Sequence, residues 1–233
     1  MSSKHKHDPM VELGDILVAY LEQLGVEYVF GVPGGPIEPF YNALARSERR
    51  KGLRAVTAKH ETGAAFMTDG YSRNSGKLGV CCGTVGPGTT NLMTGMASAY
   101  DNHSPMLVIT AQTAITNFGR GSTQESSDTG INTVAMFSHC THYSSLVSHA
   151  HQFEQKLLAA VSAAFAAPRG PAHLSIPIDV LRTSVKSILS YNITNIIQAP
   201  ILTDQSQIER LTEILLTSKK CVFLVGEGGL FHV

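Results

Sequence analysis

The sequence predicts an α/β fold: a three-layer domain with a mainly parallel sheet between helices, followed by the start of a second α/β domain. Three observations support this. Continuous apolar runs alternate with segments of helical periodicity, as expected for strands that are buried on both faces of a sheet. Glycine clusters stand between several of these runs and the helices that follow. With 43% hydrophobic and 15% charged residues, the composition is that of a globular chain with a large core.

The first half of the chain repeats the order strand, loop, helix. An amphipathic helix is predicted for residues 11–24, with Gly25 as its C-cap. Strands are predicted for residues 26–30, 53–58, 77–83 and 106–112. Helices are predicted for residues 37–48, within 59–73 and for 89–102. This alternation is typical of a parallel sheet that is covered by helices on both faces.

In the second half of the chain, the sequence predicts a short helix near residues 132–137, a strand near 142–147, a long helix over 149–166 and a buried strand over 172–180. The polar stretch 184–203 is interpreted as a linker between a domain at 1–183 and a truncated domain at 204–233. In the truncated domain we expect a helix over 204–218, with Asp204 as its N-cap, and the start of another buried strand in 219–233. A lone helix and strand cannot bury an apolar face, so the chain is expected to be a fragment of a longer protein.

Charge and cysteine content argue against several classes of protein. The 18 Lys and Arg residues balance 18 Asp and Glu residues, so no nucleic-acid or membrane partner is expected. There is no run of about 20 apolar residues and no apolar secretion signal, which predicts a cytoplasmic protein. No metal is assigned, because neither the ten histidines nor the four cysteines form a set of ligands with binding spacing. The cysteines are interpreted as reduced, buried side chains.

Two glycine clusters, GVPGGP at 31–36 and GTVGPG at 83–88, each lie between a strand and a helix. Such loops offer backbone N–H groups to anions. Neither cluster is GxGxxG, and the stretch that begins at Gly70 departs from the P-loop pattern GxxxxGK[ST]. A nucleotide-binding Rossmann or P-loop domain is therefore an alternative interpretation, and ordinary turn formation by glycine explains most such loops.

Together with the stretch 59–73, KHETGAAFMTDGYSR, these loops resemble the N-terminal, pyrimidine-binding domain of thiamine-diphosphate-dependent enzymes. The nearest group is that of acetolactate synthase, pyruvate oxidase and benzoylformate decarboxylase. The motifs follow the family's order over most of residues 10–182: GVPGG, HE with GAAxMxDGYxR, GPGxTNxxTGxAxAYxxxxPxLxITxQ, and QE at 124–125. The resemblance implies thiamine diphosphate as the cofactor and a small-molecule 2-oxo acid as the substrate, which is decarboxylated with or without ligation of the product to a second carbonyl.

The resemblance also implies candidate site residues, one position at a time. Glu61 matches the glutamate that contacts N1′ of the aminopyrimidine and promotes loss of the thiazolium C2 proton, although it could simply cap a helix. Gln124 matches a glutamine that faces the reaction centre, and His60 is interpreted as structural. The remaining cofactor-binding positions, for which turn formation or capping is the alternative role, are Val32, Pro33, Gly34, Gly35, Thr84, Pro87 and Asn91.

A second copy of the chain is the partner that the resemblance implies. The predicted helix at 89–102 is apolar or small around most of its circumference, and the family packs this region against another subunit. A homodimer or a dimer of dimers, with the cofactor between subunits, is therefore expected. Gly95, Ala97 and Ala99 would allow close helix approach across the interface, or equally within one domain.

The chain departs from the acetolactate synthases at two positions, where Thr123 replaces Phe and Ile178 replaces Lys, so the substrate stays open. The family holds the diphosphate and Mg²⁺ on a later domain with a GDG…N motif, which these residues do not contain. Alone, the chain is expected to be inactive and to bind the cofactor weakly. A noncatalytic regulatory or assembly module on the same fold is an alternative, against which the presence of Glu61 and Gln124 argues.

Overall fold

A computed structural model describes residues 9–194 and 204–224 of the chain. Strands within these residues are β1 (Met10–Glu12), β2 (Tyr28–Gly31), β3 (Arg54–Thr57), β4 (Gly79–Gly83), β5 (Met106–Gln112), β6 (Tyr143–Leu146), β7 (Pro171–Pro177) and β8 (Ser184–Lys186). Six of them form one sheet in the order β3-β2-β4-β5-β7-β6. All neighbours in this sheet are parallel, which confirms the predicted parallel sheet.

Helices cover both faces of this sheet. Their bounds are α1 (Leu13–Gln23), α2 (Glu38–Arg49), α3 (Glu61–Ser75), α4 (Pro87–Thr90), α5 (Met93–Asp101), α6 (Thr133–Phe137), α7 (Ala150–Phe165), α8 (Ile178–Leu181) and α9 (Gln205–Thr217). One core joins the sheet to α1, α2 and α7, and a second core joins the opposite face to α3, α5 and α6. The predicted three-layer arrangement is confirmed.

The central strands contribute to both cores, which explains their uninterrupted apolar sequences. Successive side chains of a strand point to opposite faces. Thus Cys82 and Leu107 lie in the first core, whereas Cys81 and Val108 lie in the second. All residues of β4 and β5 are buried. A half-exposed sheet would instead show alternation of apolar and polar residues.

The first helix is shorter than predicted. It begins at Leu13, because residues 10–12 form β1, which pairs with β8 in an antiparallel two-stranded sheet. Met10 is the partner of Lys186 and Glu12 that of Ser184. At the other end, Leu24 is the C-cap and Gly25 follows with a φ of +72°. The strand predicted over residues 172–180 also ends earlier, at Pro177, and α8 begins at the next residue, Ile178.

The helix predicted over residues 89–102 is two helices, α4 and α5, separated by a turn at Asn91 and Leu92. The carbonyl of Asn91 accepts a hydrogen bond from the Thr62 hydroxyl of α3 at 2.6 Å. The turn between α4 and α5 is thus joined to α3 by a hydrogen bond. Within α5, Gly95 and Ala99 are buried in the domain, whereas Ala97 is exposed.

The described residues fall into two compact units, 9–194 and 204–224. In the second unit α9 forms as predicted, and its N-cap is Asp204, which accepts from the N–H of Ser206 at 3.0 Å. A buried strand was predicted to begin after this helix, and for residues 219–224 this prediction is wrong. These residues form no strand, and the side chains of Val222 and Leu224 are almost fully exposed. The described residues of this unit, 204–224, contain no β-strand. The rest of the predicted strand, residues 225–233, lies outside the described residues.

Three of the four cysteines are buried, as predicted, in the sheet domain: Cys81, Cys82 and Cys140. Cys221 is exposed, so its predicted burial is wrong. It lies in the segment whose expected strand is not formed, and no core covers it there. No helix in the described parts of the chain is both long and apolar enough to cross a membrane.

Candidate functional site

The strand order reverses between β2 and β4. The chain leaves β2 to form β3 on one side, and then returns to place β4 on the other side of β2. The loops that follow β2 and β4 therefore diverge and leave a crevice at the carboxyl ends of these strands. In open α/β sheets this is the place where ligands bind. Both glycine clusters of the sequence lie here, at residues 31–36 and 83–88.

The two glycine loops pack so closely that side chains would not fit at their contact points. A Cβ atom on Gly34 would lie 2.7 Å from Oγ1 of Thr84, and one on Gly88 would lie 2.5 Å from Cγ2 of the same threonine. Thr84 thus lies between the loops. Its hydroxyl is buried and has no hydrogen-bond partner among the described residues. A buried hydroxyl without a partner is costly, so this atom marks a position where a ligand group can bind.

Glu61 is the buried carboxylate of the crevice. It is the first residue of α3 and only 8% exposed. Its Oε2 accepts a hydrogen bond of 3.0 Å from the side-chain amide of Asn91, and its Oε1 lies 3.4 Å from the position of a Cβ on Gly88. The cap of α3 is His60, whose Nδ1 accepts from the N–H of Thr62 at 3.2 Å. Glu61 therefore does not cap the helix; its carboxylate faces the second glycine loop.

A half-buried phenol, Tyr41, lies close to this carboxylate, and the sequence did not indicate it. The hydroxyl of Tyr41 accepts a weak hydrogen bond from Cys82 Sγ at 3.6 Å. Desolvation by partial burial raises the pKa of Tyr41 far above its ordinary value, and its interactions with Cys82 and with the Glu61 carboxylate act in the same direction. Tyr41 therefore remains a neutral phenol.

Gln124 reaches the crevice from the long loop after β5. Its φ is +60°, and its Cβ would lie 2.7 Å from a Cβ on Gly86, whose φ is +56°. The next residue, Glu125, organises the loop by accepting hydrogen bonds from Ser127, from Thr129 and from the N–H of Gly119. These bonds, that of Ser127 first, hold the pKa of the exposed Glu125 carboxyl below its usual range.

The structure brings together some of the predicted site residues and leaves others at the rim. Glu61 and Asn91 are bonded to each other, and Thr84 contacts the Gly34 loop. Val32 is half-buried, whereas the remaining positions, Pro33, Gly35 and Pro87, are exposed. Tyr41 and Ser126 were not indicated by the sequence, and Gly86, Gly88 and Gln112 stood there only as letters of the quoted motifs, without a role of their own. The GPG triplet at 86–88 was a usable signal, because consecutive small residues after a buried strand permit close approach.

The charge at the crevice limits what it can bind. Segments 32–35 and 84–88, together with Glu61, Asn91 and Gln124, carry one carboxylate and no cation. A carboxylate, an amide and an unpaired hydroxyl suit a neutral nitrogen heterocycle, whereas a phosphate would lack a positive partner. Among the described residues no cluster of three or more His, Cys, Asp or Glu side chains could hold a metal ion.

Comparison with known proteins agrees with this geometry. The family model described as "Thiamine pyrophosphate enzyme, N-terminal TPP binding domain" matches residues 11–131. The acetolactate synthase large subunit of Lactococcus lactis is 34% identical over 215 residues, which cover 91% of this chain and 36% of that protein. The mitochondrial acetolactate synthase catalytic subunit of Saccharomyces cerevisiae is 33% identical over 227 residues, or 94% and 32% of the two chains.

The acetolactate synthase of Arthrospira platensis is 38% identical over 164 residues, which are 70% of this chain and 28% of that protein. The chain spans about a third of the length of the curated relatives it matches. The family resemblance inferred from the motifs is confirmed by these matches. The chain belongs to the family of thiamine pyrophosphate enzymes, of which it represents the N-terminal TPP-binding domain.

Proposed function

We propose that this chain is the pyrimidine-binding part of a thiamine-diphosphate enzyme that decarboxylates a 2-oxo acid and ligates the product to a second carbonyl compound. The observation that carries the proposal is the buried carboxylate of Glu61, held by Asn91 between two glycine loops at the switch point of the sheet. Similarity to acetolactate synthases supports the reaction class.

The groups in the crevice fit an aminopyrimidine. Such a ring carries hydrogen-bond donors and acceptors on its edge but no charge, in agreement with a site that has no cation. Glu61 would bind the ring nitrogen N1′, and the unpaired hydroxyl of Thr84 would gain a partner. Because Gly34 and Gly88 lack side chains, both glycine loops can pack directly against Thr84.

Each residue then has a definite task. Glu61 shares a proton with N1′, which is why a carboxyl group and not an amide is required there. Asn91 donates to Oε2 and so fixes the orientation of the carboxylate. Burial of Glu61 excludes water from the shared proton. When bound, thiamine diphosphate supplies a thiazolium ring that acts as the sink for the electron pair released with CO₂.

The diphosphate and its Mg²⁺ would be bound by a later domain of the complete polypeptide, since the crevice residues offer them no cation. The 233-residue chain alone should therefore be inactive and bind thiamine diphosphate weakly. Titration calorimetry of this chain with thiamine diphosphate, with and without Mg²⁺, tests this. Tight binding that depends on Mg²⁺ would contradict it.

A second copy of the chain is proposed as the partner, through an apolar patch on α3 and α5. Phe66, Met67 and Tyr100 are exposed by 45%, 38% and 41% respectively, and Ala97 lies exposed on the same α5. Exposed aromatic and methionine side chains of this density are typical of an interface. Phe66→Asp should shift the complete protein toward monomer in sedimentation velocity, whereas Ile188→Asp, at an exposed position outside the patch, should not.

The central experiment is deuterium exchange at C2 of thiamine diphosphate on the complete polypeptide. Glu61→Gln keeps the shape of the side chain but removes its acid–base function, so exchange should slow by roughly 10²- to 10⁴-fold. Asp69→Asn is the matched control, because Asp69 is another buried carboxylate on α3 that accepts from Ser104. Equal exchange rates in the wild type and Glu61→Gln would remove Glu61 from the mechanism.

A further inference from the structure

Ser126 is a buried residue whose polar atoms are all hydrogen-bonded. It is 1% exposed. Its N–H donates to Oε1 of Gln112 at 3.2 Å, and its Oγ accepts from the N–H of Gly86 at 3.3 Å and from Nε2 of Gln112 at 3.2 Å. Its carbonyl accepts from both the N–H and the hydroxyl of Thr133, at 3.3 and 3.1 Å. A loop residue with so many partners has a fixed position.

Gln112 connects this serine to the rigid part of the fold. It is the last residue of β5, the strand at the centre of the sheet, and is itself 1% exposed. Its Oε1 also accepts from the N–H of Thr113 at 3.0 Å. One buried amide therefore holds both ends of the segment 113–126, which carries Gln124.

Ser126 lies between two parts of the crevice. Through its Oγ it holds Gly86 of the second glycine loop, and two residues earlier in the chain stands Gln124. Gln124 and Gly86 are themselves in contact, and both have a positive φ. For glutamine this backbone conformation is unfavourable, and it persists only where the surrounding contacts impose it.

We propose that Ser126 is a positioning residue of the site: held by Gln112, it fixes the glycine loop at Gly86 and places Gln124 over it. The effect on catalysis rests on the proposed function, in which Gln124 faces the reacting atoms. The placement of the loop is independent of the proposed function and can be measured on the chain without a cofactor.

The first test is amide hydrogen exchange by NMR on the 233-residue chain. Ser126→Ala removes the acceptor of the Gly86 N–H, so exchange of this amide should become about tenfold faster. Ser72→Ala is the matched control, because Ser72 is equally buried and bonds to the carbonyls of Lys77 and Pro105, outside the crevice. If Ser126→Ala does not fold, Ser126→Cys keeps the shape with a weaker acceptor. Unchanged exchange of Gly86 in a folded variant would overturn the proposal.

The second test is a double-mutant cycle in the complete enzyme. Ser126→Ala should lower kcat by roughly 10- to 100-fold, since a small displacement of a reacting group has effects of this size. In the Gln124→Ala background the same change should cost less than about twofold, because its effect passes through Gln124. Equal losses in both backgrounds would refute this role. Failure of the proposed function would be recognised separately, because Glu61→Gln would then leave turnover unchanged. The exchange rate of the Gly86 amide would still show whether Ser126 fixes the glycine loop.

Discussion

His173 is a fully buried histidine of β7, and its titration should couple the stability of the domain to pH. Its Nε2 lies 2.8 Å from Oγ1 of Thr110 and its Nδ1 lies 2.8 Å from Oγ of Ser144. Ser144 donates its single proton to the carbonyl of Val134 at 2.8 Å. The hydrogen-bond network therefore assigns the ring proton to Nδ1, which donates to Ser144, while Thr110 donates to Nε2. The neutral ring is fully satisfied.

The size of the effect follows from this burial, which lowers the pKa of His173 from 6.5 to about 3. As the pH falls below 6.5 the unfolded chain takes up a proton at this residue, whereas the folded chain does so only near pH 3. The unfolded state then binds more protons, so acid lowers the free energy of unfolding. Each pH unit in this window costs at most about 1.4 kcal/mol, and less near pH 6.5 where the unfolded histidine is only half protonated, which gives about 2.3 kcal/mol between pH 6.5 and 4.5.

Urea unfolding at pH 7.0 and at pH 4.5 measures this quantity. His173→Gln removes the titrating group, so the wild type should lose about 2–3 kcal/mol more than this variant between the two pH values. His139→Gln, at an exposed position, should lose as much as the wild type. The reasoning is refuted if the wild type and His173→Gln lose the same free energy of unfolding.

Three further outcomes are expected. Gly95→Ala should lower the free energy of unfolding by about 1–3 kcal/mol in urea, because its Cβ would lie 2.4 Å from that of an alanine in α3; Gly70→Ala, with nothing within 4 Å, should not lower it. Gly88→Ala should weaken thiamine diphosphate binding to the complete enzyme by about tenfold or more in calorimetry, since the new Cβ would lie 2.5 Å from Thr84. Cys221 should react rapidly with a thiol reagent in the folded chain, and the three buried cysteines only after unfolding.

The strands of the sheet could be predicted where local sequence determines them. The predicted bounds of β5, 106–112, agree with the structure because a fully buried strand has an uninterrupted apolar sequence that ends at a polar loop. The pairing of β1 with β8 could not be predicted. Each strand has only three residues, and the two are far apart in the chain, so no local pattern identifies the partner.

The candidate site shows the same division. The motifs indicated Glu61 and Asn91 separately, but their hydrogen bond depends on the turn between α4 and α5, where the Asn91 carbonyl also accepts from Thr62. Gln112 closes the long family motif, but no role could be assigned to it, because a polar residue at the end of an apolar strand usually marks only the strand boundary. Its burial, and that of Ser126, arises from the loop that folds over it.

The antiparallel pairing of β1 with β8 places Met10 opposite Lys186, so the beginning of the sheet domain lies beside its last strand. In such an antiparallel pair the Cα atoms are about 5 Å apart, so the first and last strands of the domain are neighbours; beyond them the chain still packs on the domain up to residue 194, with Ile193 fully buried. Neighbouring first and last strands favour circular permutation, in which the original ends are linked and new ends are opened in a surface loop, with the sheet left intact.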